Sequence, residues 1–393
     1  MAETKLPVLI AGGGIGGCAT ALSLALKGIP SRIFEQAKEF KEVGAGIQLG
    51  PNAFKMFERY GLTSAINDIA HFPDKLVMMD NYSGEHITTI PVQSEAFMKR
   101  FKYPYGVIHR ADMLDVIVAE CRKYADLIKL NTGTKVVAHE DHGSHVSVTL
   151  EDGSRHEGTA LLGCEGLWSR LREHIVGDGK PRVSGHIAYR AVLKRDEVPQ
   201  DLWSPSVYLW GGEKRHLVHY PLRRGELYNL VAVFHSQRYE EGWDAFGDPA
   251  ELTERFATAV PQVKRLLEKI NSWKMWVLCD REPVRDWSQN RVALLGDAAH
   301  PMLQYLAQGA VMSMEDGWVL AEEMDLSKGD YAKAFVSYAQ KRYLRTARVQ
   351  LTARLYGDIY HAAGATRDLR NQMMGGGKEQ TSFESSAWLY DGI

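Results

Sequence analysis

Cysteine is scarce in this 393-residue chain, and Cys18, Cys121, Cys164 and Cys279 stand far apart. That spacing suits neither a disulfide framework nor a zinc cluster, so a reducing, cytoplasmic setting is expected. An excess of charge of one sign is also missing. Lys+Arg 47 balance Asp+Glu 49, which excludes the basic stripe that nucleic acid demands. No apolar run approaches the roughly 18 residues that cross a bilayer. The first residues pass from Met1 into Val8-Leu9-Ile10 without the pattern of a signal peptide, so a soluble chain is expected. Internal repeats, low-complexity runs and Pro-rich linkers are absent. No His, Asp or Glu set has ligand spacing, so no metal is expected.

What is there is an ordinary globular composition, 45% hydrophobic and 24% charged, in a chain long enough for two intertwined domains that enclose a large cofactor. From Lys5 to Gln36 the pattern reads strand, glycine turn, helix, strand, which is a parallel β-α-β unit. Gly12, Gly14 and Gly17 fit G-x-G-x-x-G directly after an apolar strand and before a helix expected from Cys18 to Lys27. The first glycine permits the tight turn, the second admits a pyrophosphate to the backbone, and the third lets helix and strand pack closely. Gly12, Gly14, Ile15 and Gly17 are therefore assigned to a dinucleotide. Glu35 closes the second strand, where an acid can accept bonds from ribose hydroxyls. The fingerprint alone separates neither FAD from NAD nor a ligand site from a bare glycine turn. A second G-x-G-x-x-G before a helix is missing, which argues against a reductase with two dinucleotide domains.

The region 183–284 is rich in aromatic and β-branched residues, with strands expected at Ala188–Leu193, Ser206–Trp210, His216–Tyr220 and Leu227–Phe234 of a mostly antiparallel sheet. Beyond Asp297 the pattern turns helical, through Ser313–Glu323 and Tyr331–Tyr356. In the strand Arg215–Leu222 a period of two puts His216, Val218 and Tyr220 on one face and His219 on the other. An imidazole and a phenol on one face could bind a substrate's hydroxyl or carboxylate. The strand by itself equally allows a histidine satisfied within the sheet.

The segment Arg291–Pro301, with Gly296-Asp297-Ala298-Ala299-His300-Pro301, resembles the G-D-A-A-H-P motif of the class A flavoprotein aromatic hydroxylases. The resemblance implies bound FAD and a ribityl-binding role for Asp297. Gly163–Arg172 resembles the family's D-G motif, which touches flavin and nicotinamide; Gly166, Ser169 and Arg172 match, whereas Glu165 stands where the family has Asp. Glu42–Gln48 resembles the loop that covers the isoalloxazine edge, and His109–Asp112 the segment whose arginine, here Arg110, meets the FAD phosphates or ribityl. Gly309 and Ala310 open a helical stretch, and the resemblance implies that its N-terminus is aimed at the flavin ring, where it would favour negative charge. The expected fold is α/β: a Rossmann-like FAD-binding domain (1–75, 100–182 and 285–365) interleaved with a mostly antiparallel β-sheet substrate domain (76–99 and 183–284), plus C-terminal helices. The tail, 366–393, is expected to hold a mobile glycine connector at Gly375–Gly377 and an anchored aromatic end.

The His-x-x-x-Tyr-Pro-Leu strand, Asp280–Pro283 and Leu303-Gln304-Tyr305-Leu306-Ala307 resemble the 3-hydroxybenzoate 6-hydroxylases in particular, and over almost the whole chain. That implies contact of His216, Tyr220 and Gln304 with the substrate's phenol or carboxylate. It also implies that NADH binds transiently, reduces FAD and leaves, that dioxygen forms a flavin hydroperoxide, and that the ring attacks its distal oxygen. His216 as proton acceptor would direct the hydroxyl para to the phenol and give 2,5-dihydroxybenzoate (gentisate). Salicylate or a hydroxynicotinate remains an alternative substrate, and a non-hydroxylating FAD-binding redox protein or a plain NAD dehydrogenase an alternative class. The family is often dimeric, so a homodimer is expected.

Overall fold

A computed structural model describes residues 6–41, 46–236, 246–270, 272–375 and 383–393. A mainly parallel sheet lies on one side, in the strand order Ile128–Asn131, Ser31–Phe34, Val8–Ala11, Ala160–Gly163, Val292–Leu294, Ser288–Gln289; only the last runs antiparallel. Val8, Leu9 and Ile10 have no exposed surface, as expected of a parallel strand covered on both faces. The helix Ile15–Leu26 starts three residues before the expected Cys18 and ends one before Lys27. Gly14 is extended and acts as its N-cap, so the helix begins hard against the strand end.

The second sheet has seven strands, in the order Lys274–Asp280, Arg182–Lys194, Leu227–His235, Arg215–Leu222, Val207–Gly212, Leu76–Asp80, His86–Ile90. All neighbours are antiparallel except Val207–Gly212 with Leu76–Asp80. One face packs Tyr189, Leu230 and Phe234 against the helices Pro249–Arg255 and Pro261–Leu267. The other face carries Ala188, Val231 and Val233 and is roofed by Leu303, Tyr305 and Ala353. Those roofing residues come from the chain just past the Gly-Asp turn and from the helix Tyr331–Tyr360. The two sheets are therefore tied together by the same C-terminal helices.

The helix Gly309–Ser327 crosses the first helix closely: a Cβ on Gly317 would stand 2.6 Å from Thr20 Oγ1. At the C-terminus, Tyr390 packs on Phe101 and Trp388 lies under Arg348. Arg345 binds the carbonyls of Trp388 and Leu389 at 2.9 Å each. The expected glycine connector lies outside the described residues from Gly376 onward. Among the described residues, no helix is long and apolar enough to cross a membrane.

Candidate active site

The glycine turn is closed by contacts that a side chain would destroy. Gly12 has φ +107°, and a Cβ there would lie 2.3 Å from the carbonyl oxygen of Cys164; a Cβ on Gly17 would lie 2.0 Å from the carbonyl oxygen of Gly12. Glu35 folds back on the turn, accepting from the backbone N–H of Gly13 and of Ala37 at 2.7 Å each. The carboxylate thus braces the loop at the end of its strand and stands beside the helix N-terminus, where anions are favoured. Gly17→Ala is expected to cost about 3 kcal/mol, the upper end for overpacking against atoms that cannot move. Thermal unfolding together with bound flavin per protein would check it; an unchanged melting temperature would contradict the contact.

The Gly-Asp turn is built on the neighbouring strand. Gly296–Ala298 form a short 3-10 turn, with Gly296 at φ +61°. Asp297 lies deep within the protein yet keeps accessible surface, so its carboxyl borders an interior hollow. Burial pushes its pKa up, against the pull of His300 and Arg110. A Cβ on Gly309 would stand 3.6 Å from Asp297 Oδ1, which brings the start of the Gly309–Ser327 helix, and Ala310 next to it, to the same place. Arg172, fully buried, donates to the carbonyls of Ala298 at 2.9 Å and Ala299 at 2.5 Å. It fixes the turn from the D-G-like segment. Glu165 is tied to its own segment: its Oε2 accepts from Ser169 Oγ at 2.7 Å and from the N–H of Leu171 at 3.2 Å. The longer side chain reaches the first turn of the Arg170–Ile175 helix, and burial raises its pKa.

The loop expected to cover the flavin edge lies outside the described residues from Glu42 to Ala45. Gly46–Leu49 forms a strand antiparallel to Gly106–His109, which places Gln48 on a two-stranded ribbon beside the strand that leads into Arg110. Gln48 Oε1 accepts from Tyr105 at 2.9 Å. The N–H of Gly46 donates to Asn229 Oδ1 at 3.0 Å, and a Cβ on Gly46 would stand 2.5 Å from the Tyr220 ring. The ribbon is thereby pressed against the second sheet where Tyr220 sits.

Register arranges the pocket. Ala188, Val233 and His216 lie opposite one another on consecutive strands, followed by Arg190, Val231 and Val218, then Val192, Asn229 and Tyr220. One face therefore shows His216, Val218, Tyr220 and Arg190. Val218 and Arg190 keep accessible surface although their strands are interior to the sheet, which extends the hollow over them. Arg190 was not singled out in the sequence. Its guanidinium lies 5.2 Å from the Trp276 ring centroid and donates to Gln304 Oε1, and its Nε has no hydrogen-bond partner. Among the described residues no carboxylate forms an ion pair with it. Burial, with Arg110 nearby, pulls its pKa down to about 10, so it remains charged near neutrality. Gln304 thus meets Arg190, while His216 and Tyr220 stand two strands away, across Leu227–His235.

His216 is 2% exposed and its Nδ1 stands 2.7 Å from His361 Nε2. Burial, with His186 and His235 adding to it, holds the His216 pKa down to about 3, so the ring is neutral at working pH. Burial raises the Tyr220 hydroxyl, which stays protonated. His186 Nδ1 meets the Tyr305 hydroxyl at 2.6 Å. His186, His235 and His361 have ring nitrogens within 4.8 Å of one another, a grouping that no sequence interval announces. On the opposite face His219 is occupied by Trp210 Nε1 at 2.9 Å and the Tyr228 hydroxyl at 2.8 Å, as a structural histidine would be.

Comparison with known proteins agrees with this geometry. The family described as FAD binding domain matches residues 5–350. The chain is 43% identical over 385 residues to the 3-hydroxybenzoate 6-hydroxylase of Polaromonas naphthalenivorans (strain CJ2), covering 98% of this chain and 96% of that protein. It is also 43% identical over 385 residues to 3-hydroxybenzoate 6-hydroxylase 1 of Aquipseudomonas alcaligenes, covering 98% and 97%. Among solved structures, a salicylate hydroxylase substrate complex superposes with a TM-score of 0.83 at 24% identity, over 100% of this chain and 97% of that one. At that identity the likeness speaks for the fold.

Proposed function

The chain belongs to the FAD-dependent aromatic hydroxylases, and we propose that it hydroxylates 3-hydroxybenzoate at carbon 6, giving 2,5-dihydroxybenzoate with NADH and dioxygen as co-substrates. The observation that carries the substrate class is one sheet face: a neutral imidazole, a protonated phenol and a guanidinium with no carboxylate partner among the described residues stand together on it. Such a set suits a small ring that bears both a hydroxyl and a carboxylate. The names of the relatives at 43% identity support the position of attack.

Bound FAD supplies the redox chemistry that side chains lack, accepting electrons from the nicotinamide and passing them to dioxygen. The interior hollow beside Asp297 and the clearance-free glycine turn fit that group. Gly12, Gly14, Ile15 and Gly17 would hold its pyrophosphate and Glu35 its ribose. Asp297, Arg110 and Gln48 would border the ribityl and ring, as would Gly309, Ala310 and, through its backbone, Glu165. In this reading His216, whose Nδ1 faces His361, offers Nε2 to the substrate hydroxyl. Accepting that proton raises electron density at the para carbon. Tyr220 donates to the substrate, Gln304 orients it, and Arg190 balances the carboxylate. Val218 and Val231 form an apolar wall, which keeps water from the reacting carbon.

The test is NADH oxidation by the purified flavoprotein with and without 3-hydroxybenzoate, followed by chromatography of the product and repetition with NADPH. Stimulated oxidation with 2,5-dihydroxybenzoate as product is expected. Hydrogen peroxide as the sole product would overturn the substrate. His216→Ala should lower product formation about 10²-fold, the low end for a positioned proton acceptor, while ligand-stimulated NADH oxidation continues. An unchanged product rate would remove His216 from the chemistry.

A further inference from the structure

Ring nitrogens from three separate elements run in file from the pocket face to the rim of the sheet. His216 Nδ1 stands 2.7 Å from His361 Nε2, and His361 Nδ1 stands 3.0 Å from His235 Nε2. His216 belongs to the strand Arg215–Leu222, His361 caps the end of the helix Tyr331–Tyr360, and His235 ends the strand Leu227–His235. The middle ring is held from both sides by backbone. The N–H of His361 donates to the carbonyl of Gly357 at 3.1 Å, and its own carbonyl accepts from the N–H of Lys214 at 3.2 Å. Opposite His216 in register lies Gly211, where a Cβ would stand 3.0 Å from the carbonyl oxygen of Tyr360; the helix end reaches the sheet only over a glycine. Exposure rises along the file, from 2% at His216 through 7% at His361 to a half-buried His235.

We propose that His361 and His235 continue His216 as a proton relay that carries the substrate's phenolic proton from the pocket to solvent. The proposal rests on the reading of His216 as the proton acceptor. A neutral imidazole has one donor and one acceptor nitrogen. Two successive ring-to-ring contacts therefore leave the file just two self-consistent tautomer states, with every N–H pointing outward or every N–H pointing inward. A proton taken at His216 Nε2 converts the first state into the second. The substrate O–H bond breaks as Nε2–H forms. The Nδ1–H of His216 passes to His361 Nε2, the Nδ1–H of His361 passes to His235 Nε2, and His235 releases its outer proton to water. Reprotonation of the substrate oxygen when the ring regains aromaticity reverses the path and restores each tautomer.

A buried ring that resists holding a second proton must hand one on, and His216 is such a ring. The groups facing the file are His186, Tyr305 and Tyr360 on the pocket side, with Arg182 acting on His186, and Lys214 and Asp358 at the rim. Among the described residues no carboxylate forms an ion pair with His216, His235 or His361, so no fixed anion traps the proton midway.

The test uses the FAD-loaded full chain with 3-hydroxybenzoate and NADH, reading hydroxylated product against pH in wild type, His216→Ala, His361→Ala, His361→Phe and His235→Ala, with and without added imidazole. Flavin content and thermal unfolding monitor folding. His361→Ala is expected to lose about 10-fold or more in product formation, with an altered pH profile and partial rescue by imidazole. His361→Phe, which fills the space without a relay atom, should lose as much and resist rescue. His235→Ala should lose less, since water can take its place at the rim. A wild-type rate and pH profile in His361→Ala, or a loss that phenylalanine repairs and imidazole does not, would overturn the relay. If His216→Ala itself retains full product formation, the acceptor reading fails and the relay falls with it; a loss in His216→Ala beside intact His361→Ala sinks the relay alone.

Discussion

Arg342→Met is expected to lower the free energy of unfolding by about 3–5 kcal/mol, the range for removing one partner of a buried ion pair. Arg342 is 1% exposed and lies between the last two long helices. Its NH1 stands 2.8 Å from Glu315 and its Nε 2.7 Å from Asp316, both carboxylates fully buried. Asp316 in turn meets His300 Nε2 at 2.5 Å and accepts from the N–H of Gly296 at 3.1 Å. Glu315 keeps Arg345 and Asn52 as partners, whereas Asp316 would keep no cation but His300, beside the Tyr338 hydroxyl and a backbone amide. Methionine fills the space and leaves the charge behind. The pH dependence follows from the same contacts. Burial works against the charged form, yet His300 and Arg342 hold the Asp316 pKa down to about 2, and Arg342 and Arg345 lower that of Glu315. A carboxylate depressed in the folded state gives stability that is present above its unfolded value near 4 and is lost as pH falls toward the folded value. The variant's deficit should therefore be largest at neutral pH and shrink in acid. Denaturant unfolding at pH 7 and pH 3 would read both, and a deficit below about 1 kcal/mol at pH 7 would mean that the network relaxes without its arginine. Since Asp316 holds the amide of Gly296, bound flavin should fall in parallel.

Local chemistry was legible in the sequence, and contacts across long separations were not. The glycine turn and Glu35 sit within one strand-turn-helix-strand unit, so spacing singled them out, whereas the Gly-Asp turn was legible only as a motif resemblance; the helix start was missed by three residues because Gly14, not a polar residue, provides the cap. The alternation in Arg215–Leu222 correctly set His216, Val218 and Tyr220 apart from His219. Alternation also puts Arg190 on the face of Ala188, but strand order decides which face borders the hollow, and its contact with Gln304 spans 114 positions. His361 lies 145 positions from His216 at a helix end and belongs to no motif, so no periodicity could link them. Arg172 was visible as a motif match, yet its grip on Ala298 and Ala299 depends on two adjacent parallel strands being paired. At Glu165 the motif was readable and the direction of the side chain was not. Its carboxyl reaches the N–H of Leu171 in the first turn of a helix capped by Ser169, a contact that the motif does not announce.

Arg190→Met is expected to weaken binding of 3-hydroxybenzoate roughly 30-fold or more, because cutting one side of a buried charge contact costs about 2–5 kcal/mol and each tenfold change in affinity is about 1.4 kcal/mol. A guanidinium in a protein interior is unfavourable unless an anion meets it. Here its contacts within the protein are Gln304 and the face of Trp276, neither of them an anion. The carboxylate of the substrate would complete the pair and would be held in the planar two-point fashion that favours arginine over lysine. Two ligands separate this role from general damage. The wild type should bind 3-hydroxybenzoate far better than its uncharged amide, and the variant should lose affinity for the acid while keeping it for the amide. Arg190→Lys should recover part of the loss for the acid. Flavin absorbance titrations give the dissociation constants, and NADH oxidation gives KM separately from kcat. Equal losses for acid and amide would assign the residue to packing against Trp276. Loss of bound flavin in the variant, with ligand discrimination intact in the protein that retains it, would mean that the positive charge answers the cofactor and that the carboxylate is held elsewhere on the sheet.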